Sequence, residues 1–83
     1  MVVKWAILLT YYKYAEYDLI IIESENKLKE YIVKLLNDYK LMGYGDGACD
    51  NKDTKFLIEE VVKLGNEIVE NQTGWGVREI REL

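Results

Sequence analysis

The chain has no histidine and no proline, a single cysteine, and fewer bases than acids. Each shortage excludes something. Without histidine, the usual imidazole-containing zinc sites and the Cys–His nucleophile pair cannot be built. One thiol, Cys49, leaves no intrachain disulfide and suits a reducing compartment, so a cytoplasmic location is expected. Eleven Lys and Arg against 15 Asp and Glu give a net charge of −4. That balance argues against a basic surface that neutralises phosphates, and direct nucleic-acid binding is not expected. It suits a partner that is itself basic, and equally it provides plain solubility. Long apolar runs are also missing. The longest, Trp5 to Leu9, is far too short to span a bilayer, and no signal-peptide layout surrounds it, so no membrane contact is expected.

What is present reads as regular structure. The 83 residues are 49% apolar, which excludes a disordered chain and points to one domain over 1–83. A chain of this length buries only about 60–65% of its unfolded surface, so an oligomer or partner commonly adds the missing burial.

Along the chain, "MVVKWAILLTYY" predicts a strand with two largely apolar sides. Val3, Trp5, Ile7, Leu9 and Tyr11 form one; Val2, Lys4, Ala6, Leu8, Thr10 and Tyr12 form the other. Such a strand is expected to be central and covered on both faces. "YDLIIIES", Tyr17 to Ser24, is β-branched and forms a second strand, joined to the first by a hairpin of open turn type. Ser24 caps a helix whose stripe is Leu28, Ile32, Leu35, Tyr39 and Met42, and which ends at Gly43. After a flexible stretch, Gly43 to Thr54, either Asp53 or Thr54 caps a second helix, "KFLIEEVVKLGNEIVEN". Gly65 lies inside its apolar stripe at a cost of about 1 kcal/mol against alanine, which implies close approach to a neighbouring element. "WGVREIREL" is a last strand whose broken alternation implies a bulge or an edge position.

The order β-β-α-α-β predicts an α+β fold, a three-stranded sheet with two helices packed on one face. The other face must then carry one apolar set, with Ala6, Leu8, Ile20 and Ile22 (and Tyr12 beside them) as the expected seam. Left in water, that patch exceeds what a monomer normally shows, so a homodimer or a bound partner is expected there.

No motif carries a reaction. "GYGDG" follows a helix instead of a strand and has no Gly-Lys-Ser/Thr after it, so it is no phosphate loop. Counting a calcium loop from Asp46 puts Ala48 third and Asn51 sixth, and the required oxygen and glycine are absent. Cys49 has no histidine to activate it, and the paired carboxylates sit among outer-face charges. The chain is therefore expected to be non-enzymatic, with no metal or cofactor.

Two clusters remain as candidate contact residues. Tyr12, Tyr14 and Tyr17 surround the hairpin and can act as rigid amphipathic anchors, or simply serve as strand and turn residues. Asp46, Asp50 and Asp53 give the loop an acidic patch that can meet basic surface. The composition rich in Lys, Ile, Tyr and Asn, the opening hairpin and the closing "GWGVREIREL" strand resemble, across the whole length, small acidic α/β proteins encoded by phages and other mobile elements. Many proteins of that type look like anti-CRISPR or related anti-defence inhibitors. The resemblance implies a viral, non-catalytic inhibitor in a host cytoplasm, acting by occupying a surface of a protein or ribonucleoprotein complex. Its alternatives are a protein that sequesters a nucleotide-like signal and a self-assembling structural subunit.

Overall fold

β-Branched and aromatic residues place Trp5–Tyr11 (β1) and Tyr17–Ile22 (β2) in strands. The structure, a computed structural model, describes residues 4–11, 17–47 and 53–83, without the side chains of Tyr11 and Tyr17. Two helices follow, α1 (Glu25–Leu41) and α2 (Thr54–Glu70), and the chain closes with β3 (Trp75–Glu82). The fold is α+β in the order β-β-α-α-β, as expected.

Local chemistry sets each helix end. Ser24 is extended, and its hydroxyl accepts from the Lys27 N–H at 3.1 Å, while Glu25 lies in the first turn. The end of α1 is a Schellman turn: Gly43, at φ +93°, donates to the Lys40 carbonyl, and the Tyr44 N–H donates to the Tyr39 carbonyl at 2.8 Å. At α2, Asp53 takes the cap, accepting from the Phe56 N–H at 2.7 Å. The C-terminal turn of α2 repeats the Schellman pattern with Gln72 at φ +58°, a left-handed position normally given to glycine. Tyr44 joins the two turns, because its hydroxyl meets Thr73 Oγ1 at 3.0 Å and accepts from Asn71 Nδ2 at 3.2 Å.

The sheet is antiparallel with order β2-β1-β3, so the first strand is central. Its pairing with β3 shifts register between Leu8 and Leu9, leaving Arg78 as the extra residue. This is the expected bulge. It returns both Val77, opposite Leu9, and Ile80, opposite Ile7, to the helix side.

That side holds the core. Ile7, Leu28, Ile32, Val61, Ile68 and Val77 are fully buried there, each contributing about 1.5–3 kcal/mol by removal from water. The Tyr39 hydroxyl accepts the buried Val77 N–H at 3.2 Å, supplying a partner for a group that the bulge would leave short. Gly65 of α2 lies directly on β3. A Cβ there would come within 2.4 Å of the Val77 carbonyl oxygen, and one on Gly76 within 2.0 Å of the Gly65 oxygen. The expected close approach is thus backbone against backbone, with a glycine on each side.

Candidate functional site

Strand alternation and the register define what lies on the uncovered side of the sheet. Since Ile7 points to the helices, Ala6 and Leu8 point away. Across the strands, Leu19, Leu8 and Glu79 form one row, and Ile21, Ala6 and Arg81 the next. Glu23, Lys4 and Leu83 close the end: Lys4 Nζ lies 3.5 Å from Glu23 Oε1, and the Leu83 N–H donates to the Lys4 carbonyl at 2.8 Å.

The face is apolar on two strands and charged on the third. Leu19, Ile21 and Leu83 are 61%, 47% and 64% exposed, high values for large aliphatic side chains with strand neighbours. Ala6, the smallest residue in the grid, leaves a shallow depression of about 200 Å³ among Leu8, Leu19, Glu79, Arg81 and Leu83. Arg81 is clamped by Glu79, with Nη2 2.7 Å and Nε 3.2 Å from the same oxygen.

Of the expected seam, Ala6 and Leu8 are on this face and Ile20 and Ile22 are not. Ile20 pairs with Ile7 and Ile22 with Trp5, and both pack against the core, so Leu19 and Ile21 take their places. The misplacement has a physical source. "LIII" is apolar at every position, so its register is unreadable locally, and a one-residue slip exchanges the faces. Asp18, which belongs to the same alternate set as Ile20 and Ile22, suggests that this set faces water. It is instead on the helix side opposite Leu9, and it stays exposed because β2 is an edge strand.

The candidate contact residues divide. Tyr12, Tyr14 and Asp50 lie outside the described residues, and of Tyr17 only the backbone is described, paired with Thr10. Asp46 is exposed between Gly45 and Gly47, which both have positive φ. Asp53 is occupied as the α2 cap, a role that contributes about 1 kcal/mol. The acidic loop therefore contains at least one carboxylate held for folding.

The structure reveals a second surface that sequence reading missed. One flank of α1, carrying Tyr31, Leu35, Asp38 and Tyr39, meets Leu9 and Trp75 at the end of the sheet in a groove of about 500 Å³. Burial raises the Tyr31 hydroxyl pKa above its usual value, and the Asp18 carboxylate raises it further. Tyr39 is also raised, by burial that outweighs the lowering effect of the hydrogen bond from Val77, with Tyr31 and Asp38 adding smaller upward contributions. Both phenols are therefore neutral at physiological pH. The 31, 35, 38 spacing was the available signal, but Leu9 and Trp75 are distant in sequence.

Among the described residues, no group of three or more Asp, Glu, Cys or His is placed to hold a metal ion, and no helix is long and apolar enough to cross a membrane. Compared with known proteins, the chain matches no family model, no curated protein and no solved structure.

Proposed function

We propose that the chain is a binding protein without chemistry of its own, and that it works as a dimer joined through the uncovered face of its sheet. The observation that carries this reading is the contiguous exposure of Leu19, Ile21 and Leu83 beside Ala6 and Leu8. Isolated exposed leucines are ordinary, whereas an apolar face on a small two-layer protein calls for a cover.

Charge favours a second copy as that cover. The chain carries −4 overall, but this face sets Lys4 and Arg81 against Glu23 and Glu79 and is neutral. Two such faces related by a two-fold axis meet without a build-up of net charge. They also bring aliphatic rows together at the ordinary ~10 Å spacing of packed sheets. Three short strands offer on the order of 500 Å² per copy, the low end of specific interfaces, so a micromolar dimer is expected.

In that dimer the helices face outward on both sides, presenting Glu30, Asp38, Glu59, Glu67 and Glu70, all exposed. Such a surface suits the proposed role: occupying basic surface on another macromolecular complex in a cytoplasm, as an inhibitor of the anti-defence type would.

Sedimentation over about 1–500 µM tests the dimer. A monomer–dimer equilibrium is expected, with Leu19→Glu and Ile21→Lys monomeric throughout and unchanged in far-UV circular dichroism. A wild-type monomer at the highest concentration, or a dimer that survives both substitutions, would sink the proposal.

A further inference from the structure

We propose that the groove between α1 and the β1–β3 end of the sheet receives an arginine side chain of a partner protein. Tyr31 and Trp75 supply accessible aromatic surface over a floor that includes the buried Tyr39, and Leu9 and Leu35 supply aliphatic surface. An apolar ligand would need nothing more, but the groove also contains a carboxylate. Asp38 lines it, and Asp18 lies close enough to Tyr31 to act on its hydroxyl. Neither acid makes an ion pair among the described residues, and Lys34, one turn before Asp38, makes none either.

Aromatic faces carry negative potential and attract a cation, more strongly as it loses water. The Asp38 carboxylate on the lining, and that of Asp18 opposite Leu9 in the strand register, have no ion-pair partner among the described residues; they add to that attraction and repel phosphates and carboxylates. The chemistry selects guanidinium over ammonium. Its plane stacks on a ring, its weak hydration lowers the cost of entry, and its five donors can reach carboxylates at different points. The groove opens on the helix side of the sheet and the proposed dimer face is the sheet's other side, so either can fail alone.

The test uses the full chain and blocked single amino acids as probes. N-acetylarginine amide is titrated while the Trp75 indole and the Asp38 and Gly74 amides are followed by NMR. Saturable shifts are expected with a dissociation constant of about 1–10 mM, appropriate to one side chain without its partner. The neutral isostere N-acetylcitrulline amide should bind at least tenfold more weakly. Asp38→Asn, an exposed change that keeps the fold, should weaken arginine binding about threefold or more. Overturning results are the absence of saturable shifts up to about 50 mM arginine probe, equal response to citrulline, and affinity unaltered by Asp38→Asn. Equal affinity for N-acetyllysine amide would remove the guanidinium assignment. Sedimentation of the same samples reads the dimer separately.

Discussion

The two sides of β1 are both apolar, yet the chain treats them differently. Trp5, Ile7 and Leu9 lie under α1 and α2, with Ile7 fully buried, while Ala6 and Leu8 look out among exposed Leu19 and Ile21. Hydropathy alone does not distinguish them. The difference comes from the neighbouring strand, because β3 puts Val77 and Ile80 on one side and Glu79 and Arg81 on the other. Helices packed over the second side would have to desolvate both charges, which costs several kcal/mol, so they take the first. An apolar residue in a sheet thus becomes core or contact surface according to the charges beside it in the register.

The covered side is the easier to break. Gly65→Ala should have the largest effect: alanine gains about 1 kcal/mol of helix propensity. Its Cβ, however, meets the Val77 backbone, which cannot rotate away. A net loss of about 2–3 kcal/mol, roughly 10–20 °C in Tm, is expected in thermal unfolding. An unchanged or raised Tm would show that α2 can lift from β3 at no cost.

Tyr39→Phe probes the same side more gently. It leaves the Val77 N–H without its acceptor and should cost about 1–2 kcal/mol in urea unfolding at neutral pH. The pH dependence has a definite sign. The folded-state pKa of Tyr39 lies above the unfolded value of 10.0, so its contribution is complete below pH 10.0 and is lost as pH rises through the folded value. Phenylalanine should therefore flatten the alkaline fall in stability. An identical alkaline limb in both proteins would assign that fall to other groups.

The smallest effect is expected on the open side, where Leu8→Thr keeps a strand-forming residue and removes mainly exposed apolar surface. Below about 10 µM, where the proposed dimer is dissociated, it should change stability by under about 1 kcal/mol. At high concentration it should weaken self-association. A loss as large as that of a buried position at low concentration would mean the open face contributes to the monomer's own core.

Both helices, their caps and the hinted bulge were legible because each depends on residues within a turn of one another. Ser24 before a helical stripe, Gly43 after it, and the broken alternation of "WGVREIREL" all signal locally. Even the close approach at Gly65 could be inferred from a glycine in an apolar stripe, though not that its neighbour would be Gly76. The candidate sites were less readable. Asp53 is equally compatible with capping and with binding, and only the 2.7 Å bond to the Phe56 N–H settles its structural role. Tyr44, which ties the two helix ends through Asn71 and Thr73, carries no signal beyond being a tyrosine in a loop.

By itself, then, the sequence determined the identity, order and limits of the elements and the existence of more apolar strand surface than two helices can cover. Tertiary structure alone decided which residues form that surface, placing Leu19 and Ile21 outward and Ile20 and Ile22 inward, and it assembled the acid-lined aromatic groove. The physical reason is range. Propensity, capping and periodicity act over a few residues, whereas strand register and helix placement minimise the burial of charge and the loss of backbone hydrogen bonds across the whole chain.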